Sequence, residues 1–313
     1  MARLTRDALV TQLEAQGLRF RTVDCETEGD YLPTDVDWNN KDVPHLNQVH
    51  TWVRDVTFVV DRDLQASVSL QKVVGIPFPL VLVHYDNGPD HQTHVVTLAA
   101  WTVVTHHEFH RLGENRTRAV TSYSVGAHWF WMLFFPVIRW TIRRNYRRLM
   151  SEDVPLRERR GRLRSWGYSF RGDGPEPRDI RATLPITNDN VLPPPDDGLA
   201  PPAFEPVPVE QITEDGWVLL GRSDHLGLKL RRQGTQVVAY PRMCPHEGAE
   251  LDETPGDAAC LHCPWHGRRL APSAILDLAD ERPAASTAWH ELHVEDERVH
   301  VRLATDRSRP VAR

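Results

Sequence analysis

The chain has 313 residues, long enough for two domains that each bury a core. With 40% hydrophobic residues, 26% charged residues and ten tryptophans it reads as a folded globular protein, not a disordered one. A formal net charge of -6 argues against nucleic acid as a main partner, and four cysteines are too few for a disulfide scaffold.

From Met1 to Asp7 the chain carries both charge signs on a weak amphipathic pattern, without an apolar run and small-residue cleavage site. That pattern points to a cytoplasmic protein. Further on, Asp42-Val-Pro-His45-Leu-Asn-Gln-Val-His50 spaces an acid and two histidines closely. Two neutral imidazoles and one carboxylate on one face of Fe(II) leave positions open for O2 and substrate. On a straight helix His45 and His50 would diverge by roughly 140°. They converge only if the segment bends or one of them lies past a helix end, and Pro44 suits a first helical turn.

Strand-like segments follow at Val56–Val60, Ala66–Val73, Leu80–Tyr85, His94–Val104 and Arg118–Val125, with turns at Asp86-Asn87-Gly88 and Gly113-Glu114-Asn115. Two further polar groups lie among them: Asp86, Asp90, His91 and His94, and His106, His107, Glu108 and His110. Exposed hairpin residues are their default reading. A long helical pattern then runs from about His128 to Trp166, and an antiparallel sheet curved around it is the economical assembly. Such a helix-grip outline usually holds a lipophilic ligand, which Trp101, Tyr123, Trp129 and Trp131 would line unless they are simply core.

The apolar segment Trp129–Ile138 is too short to span a bilayer and contains Pro136, but it could touch a membrane. Eleven arginines lie between Arg139 and Arg171. They form either a solvated helix face or a docking surface for an acidic redox partner or anionic membrane. Pro155 should kink the helix near Ser151, where Asp153 can turn inward. Alternatively, Glu152 and Asp153 are surface partners of those arginines.

Residues 171–210 contain ten prolines and read as an extended connector between an N-terminal domain at 1–170 and a C-terminal domain at 211–305. The latter looks all-β, with short apolar runs at Trp217–Leu220, Leu228–Leu230, Val237–Tyr240 and Val299–Leu303. Between its strands lie Cys244-Pro-His246 and Cys263-Pro-Trp-His266, sixteen residues apart. Two such pairs can bind a binuclear cluster asymmetrically, thiolates on one iron and imidazoles on the other. Zinc is the competing occupant, but Cys-x-His is an awkward bite for one tetrahedral ion. Three cysteines crowded into 244–263 point to metal chemistry in a reducing compartment. Cys260 and His262 are surplus to the set.

The Cys244/His246/Cys263/His266 pattern resembles the Rieske [2Fe–2S] domain over about 90 residues. The first loop lacks a further cysteine, so the likeness is to the domains of bacterial oxygenases and their ferredoxins. The stretch Asn39–His50 and the segment at Glu152-Asp153 followed by Arg157–Arg164 likewise resemble the iron-binding parts of Rieske non-haem iron oxygenases. This resemblance implies His45, His50 and Asp153 as ligands of a mononuclear Fe(II) in a helix-grip catalytic domain. It also implies Asp42 as an acid that hydrogen-bonds a cluster histidine, His266, of a neighbouring subunit in a homo-oligomer. The family usually places the Rieske domain first; here the order is reversed.

The expected chemistry is O2-dependent mono- or dioxygenation of a lipophilic small molecule. No glycine-rich dinucleotide fingerprint occurs, so electrons should come from a separate ferredoxin and NAD(P)H reductase. The contrasting expectation is a non-catalytic electron carrier fused to a lipid-binding helix-grip domain.

Overall fold

The structure is a computed structural model that describes residues 5–50, 52–61, 64–73, 76–88, 91–98, 100–173, 185–194, 204–254, 256–257, 260–280, 282–286 and 290–303. It divides into two compact units, one of Met1–Arg162 with Phe170–Asn190 and one of Leu163–Ser169 with Val191–Arg313. Of the connector expected at 171–210, residues 174–184 and 195–203 lie outside the described residues.

The first unit is a seven-stranded antiparallel sheet of β1 (Arg19–Gly29), β2 (Val53–Asp61), β3 (Leu64–Val73), β4 (Ile76–Gly88), β5 (His91–Leu98), β6 (Trp101–Gly113) and β7 (Arg116–Ala127). Their order is β1-β7-β6-β5-β4-β3-β2, a meander whose last strand pairs with the first. Helices α1 (Arg6–Glu14), α2 (Pro33–Lys41), α3 (Leu46–Val49) and α4 (Phe135–Ser165) complete it. The fold is thus mixed α and β, with one long helix against an antiparallel sheet.

Two strand assignments differ from those expected. The segment His94–Val104 is not one strand but parts of β5 and β6, with Leu98 opposite Trp101 across the turn. No Gly, Asn or Pro marks that turn, and β-branched residues on both sides disguise it. Strand β1, which is not among the expected strands, has Val23 as its one fully buried side chain and so lacks apolar alternation. Eleven residues of pairing with β7, from Arg19↔Ala127 to Gly29↔Thr117, place it at the sheet edge.

Helix α4 packs Phe135, Ile138 and Ile142 against Val23, Val125, Ala127 and Tyr123 of β1 and β7, and the helix continues through Pro155. Trp101 joins this core, but Trp129 and Trp131 line no interior: Trp129, Phe130, Trp131, Leu133, Phe134, Val137 and Trp140 are all exposed. Arg139, Arg143, Arg144, Arg147 and Arg148 are exposed too, whereas Arg157, Arg159 and Arg160 are buried. Among the described residues no helix is long and apolar enough to cross a membrane.

The second unit is all-β. Strands Val218–Arg222, His225–Gln233, Gln236–Pro241, Ala274–Asp277 and Arg282–Ser286 form an antiparallel sheet in that order. A second sheet combines Val207–Pro208, Arg298–Leu303 and His290–Glu295. Between them Leu230, Val237, Ala239, Leu276, Leu292 and Val299 form the core.

Gly161 marks where α4 approaches the chain that follows β1: a Cβ there would lie 2.2 Å from the Asp30 carbonyl oxygen. In an open helix, Gly→Ala stabilises by up to about 1 kcal/mol. Here Gly161→Ala should instead destabilise by about 1–3 kcal/mol through overpacking. Chemical denaturation of the variant beside Arg162→Ala, at an exposed position on the same helix, checks the sign.

Candidate functional site

In the second unit two loops present the Cys and His pairs, and they are built alike. The Cys244 N–H donates to Ala249 O at 2.8 Å and the Gly248 N–H to Cys244 O at 2.9 Å. In the other loop the Cys263 N–H donates to Arg268 O at 2.8 Å and the Gly267 N–H to Cys263 O at 2.7 Å. Each tight closure ends on a glycine in the left-handed region, φ 86° at Gly248 and 65° at Gly267, which a side chain would resist.

These loops bring Cys244, His246, Cys263 and His266 together, all buried. The His246 and His266 Nδ1 atoms are 3.2 Å apart with ring centroids at 4.6 Å. A hydrogen bond with Cys244 pulls Cys263 down to about 5 despite burial, while the same bond pushes Cys244 well above the ordinary thiol value. Of the pair, Cys263 is therefore the one poised as a thiolate, while Cys244 holds the shared proton and would release it on binding a metal. Cys260 stays outside this set, its Sγ 3.5 Å from His262 Nε2.

Residues 208–285 match the family model of the Rieske [2Fe-2S] domain. The chain carries a Rieske domain. Two thiols and two Nδ1 atoms, delivered by twin loops, fit the cluster: the cysteines would hold one iron and the histidines the other.

In the first unit the Asp42–His50 segment bends. Helix α2 ends at Lys41, a 3-10 turn spans Val43–His45 with Pro44 in it, and His50 lies just past α3 with extended backbone. This path turns both imidazoles toward Asp153 of α4. His45 Nε2 and His50 Nε2 are 3.2 Å apart, and they lie 3.5 Å and 3.2 Å from Asp153 Oδ1. All three residues are buried.

Each imidazole is oriented through its other nitrogen. His45 Nδ1 faces the Asp42 carbonyl oxygen, and His50 Nδ1 lies 2.6 Å from Glu152 Oε2, which also accepts from Trp52 Nε1 at 3.1 Å. Asn39 Nδ2 lies 3.5 Å from His45 Nε2 and 3.4 Å from Asp153 Oδ1. Burial alone would raise the Asp153 pKa, but hydrogen bonds from His45 and His50, with Arg157, hold it well below the usual carboxylate range. Burial likewise works to lower His50, yet Asp153 and Glu152 outweigh it and raise it. Two Nε2 atoms and a carboxylate, with both Nδ1 atoms engaged elsewhere, make a donor set suited to a divalent transition metal.

Glu152, Asn39 and Trp52 were not singled out in the sequence for these contacts. Glu152 read as a surface acid, and its position beside Asp153 was the one available signal. The Asp42 carboxylate lies 3.9 Å from His45 Nδ1. Of the other candidates, His106 and His110 pair with the half-exposed Glu108, while His94 and His107 point inward. Asp90 lies outside the described residues.

A search of the curated proteins finds no match to this sequence. Among solved structures the chain is similar to dicamba monooxygenase bound to 3,6-dichlorosalicylic acid, at 14% identity and TM-score 0.37, covering 47% of this chain and 51% of that one. It is also similar to a Thermus thermophilus protein, TTHA0849, at 15% identity and TM-score 0.38, covering 43% of this chain and 95% of that one. A START superfamily protein from Mycobacterium smegmatis matches at 9% identity and TM-score 0.38, covering 44% of this chain and 97% of that one.

The loop geometry sets Cys244 and Cys263 with the two histidines and leaves Cys260 aside. Cys260→Ser should retain two irons and two labile sulfides per chain and the cluster's visible absorbance. Cys244→Ser should lose both, as iron and sulfide assays with absorption spectra would record.

Proposed function

We propose that this protein is a Rieske non-haem iron oxygenase with its domains in reversed order, oxidising a small organic molecule with O2. The observation that carries this reading is the convergence of His45, His50 and Asp153 within 3.5 Å in a chain that also has a Rieske domain. When bound, the [2Fe–2S] cluster supplies one-electron transfer and a mononuclear Fe(II) supplies O2 activation.

The protein's own residues have distinct tasks in this reading. His45 and His50 would offer Nε2, and Asp153 Oδ1, to the mononuclear iron. The Asp42 carbonyl and Glu152 fix which ring nitrogen each histidine presents. Such outer partners commonly contribute 10–100-fold to metal affinity. Asn39 bridges His45 and Asp153, and Arg157 donates to Asn39 from α4 at 2.7 Å. His45, His50 and Asp153 are all buried, which keeps bulk water away from the group.

The Asp42 carboxylate, beside His45, would hydrogen-bond His266 of a second copy of the chain and so connect the two metal centres in an oligomer. Electrons would arrive from a separate ferredoxin and NAD(P)H reductase. The exposed arginines 139, 143, 144, 147 and 148 offer an acidic ferredoxin a docking face. With the neighbouring exposed aromatics, the same face suits contact with an anionic membrane surface.

Iron counting on anaerobically purified protein tests this reading. The wild type should hold about three irons per chain, given a two-iron cluster and one mononuclear site. His45→Ala/His50→Ala should hold two with an unchanged cluster spectrum, and Glu152→Gln should weaken the third iron by about 10–100-fold. Two irons in every protein, without substrate-dependent O2 uptake, would leave a Rieske electron carrier fused to a helix-grip binding domain.

A further inference from the structure

The α4-facing side of the sheet is expected to be apolar, and near β1 and β7 it is. Toward β3 it changes character. Direct cross-strand neighbours run Gln65↔His84, His84↔His94, His94↔Thr105 and Thr105↔Tyr123, so one row crosses five strands. Tyr123 lies edge-to-face with Tyr146 of α4, ring centroids 6.4 Å apart, which sets this row on the helix-facing side. The next row continues it with Gln92↔His107 and His107↔Thr121.

Gln65, His84, Gln92, His94, Thr105 and Thr121 are buried, along with Ser67 and Ser69 of β3, and His107 and Tyr123 are partly buried. On β3 the usual pattern is inverted, since Val68 and Leu70 face outward and are exposed. An inward polar face and an outward apolar face do not serve folding alone.

His84, His94 and His107 form a chain of rings, with centroids 4.4 Å apart for the first pair and 4.5 Å for the second. Thr121 engages His107 Nδ1 at 3.1 Å. Among the described residues, His84 Nδ1 and Nε2, His94 Nε2, His107 Nε2 and Gln65 Oε1 are buried without a hydrogen-bond partner. Leaving such groups unsatisfied is destabilising, so the fold gains nothing from them by itself. Burial, reinforced by Lys41, pulls His94 down to about 3, and burial pushes His84 and His107 well below the ordinary histidine value. The imidazoles are therefore neutral, each with one donor and one acceptor nitrogen.

The neighbouring charges are already matched. Lys41 Nζ is 2.7 Å from Asp37 Oδ1, and Arg157 Nη2 is 3.7 Å from Asp153 Oδ2. A buried carboxylate ligand would need a cation not committed elsewhere, and a cationic ligand would meet Lys41 and Arg157. The row also joins α2, which leads into the His45–His50 segment: Gln92 accepts from Asn40 at 3.1 Å and donates to Asp37.

We propose that His84, His94, His107 and Gln65 form a polar subsite that hydrogen-bonds the hydroxyl and carbonyl oxygens of an uncharged organic ligand. As a statement about the substrate this rests on the oxygenase reading, whereas the binding itself needs neither iron nor O2. The substrate class is thereby narrowed from any lipophilic compound to oxygen-bearing neutral ones, phenols and hydroxyketones rather than hydrocarbons or carboxylates.

Calorimetric titration of the anaerobic full-length protein at neutral pH with 1-naphthol, naphthalene and 1-naphthoate tests the subsite. Wild type should bind 1-naphthol at least about tenfold more tightly than either other probe, the effect of one or two hydrogen bonds. In His84→Leu/His94→Leu that preference should fall below about threefold, with cluster absorbance and iron content unchanged. Its thermal midpoint should hold or rise, because unsatisfied polar groups are replaced by apolar ones. His94→Gln, which keeps a donor and an acceptor, should retain most of the preference. Naphthalene binding as tightly as 1-naphthol in wild type, the double variant keeping the preference, or no probe binding would each overturn the subsite. A two-iron protein that still prefers 1-naphthol would sink the oxygenase reading and leave the subsite standing; a three-iron protein without the preference would do the reverse.

Discussion

How α2 is fastened to α4 decides where every candidate iron ligand of the N-terminal unit lies. Two arginines less than one helical turn apart on α4 make the attachment. Arg160 Nε donates to Asp35 Oδ1 at 2.8 Å, both side chains being fully buried, and its guanidinium lies over the rings of Trp38 and Phe170. Arg157 donates to Asn39 and flanks Asp153. Burying two cations is costly unless each is paired and hydrogen-bonded, and losing one partner of such a pair typically costs about 3–5 kcal/mol. The attachment is therefore stiff in the sense a site requires. Because α2 runs directly into the turn bearing His45, fixing Asp35 and Asn39 also fixes the angle at which His45 and His50 meet Asp153.

The two centres solve the same problem at different range. Each of the two Cys/His loops of the Rieske domain closes on its own backbone within six residues, through the Cys N–H and the glycine N–H. Its geometry depends on little beyond the loop and the strands that anchor it. The histidine–aspartate group depends on contacts between residues about a hundred positions apart, such as His50 with Glu152 and Asp153. Small displacements anywhere along α4 would spread it, which explains why so many buried polar contacts surround it. Preorganised first contacts supported by a second layer are what metal sites generally need.

That difference in range decided what the sequence could disclose. Cys244, His246, Cys263 and His266 carry their chemistry in local spacing, so they could be read without knowing the fold. His45 and His50 were readable as a pair with a geometric condition attached, and the bend at Pro44 with His50 past α3 is the form that condition takes. Asp153 was readable as a third ligand only through the bend expected at Pro155, and the family resemblance had to outweigh the reading of Asp153 and Glu152 as surface partners of the arginines. The supporting roles of Glu152, Asn39 and Trp52 were hidden, since side-chain hydrogen bonds across the fold leave no periodic trace. The outline of sheet and long helix came through in the alternation of β7 and the length of the helical pattern. Edge strand β1 and the β5–β6 turn did not, for want of apolar alternation in one and of turn residues in the other.

The inward histidines show most plainly why strand register matters. His84, His94 and His107 lie on three strands, and each faces the helix side only because the two hairpins between them have particular lengths. Moving the β5–β6 turn by one residue would send His107 outward and His106 inward. From sequence, His106 and His107 look interchangeable; in the fold one pairs with the half-exposed Glu108 and the other is sealed against Thr121 and His94. A sheet selected only for stability would carry Val or Ile at these inward positions, as β7 does at Val125. Breaking the pattern on adjacent strands, in register, is a local violation of the folding rules that leaves both His84 nitrogens and the Nε2 atoms of His94 and His107 without a hydrogen-bond partner among the described residues. Such departures concentrate where a protein binds or transforms something. The sheet interior here therefore has two parts, an apolar end that holds α4 in place and a polar end that the fold's own packing does not require.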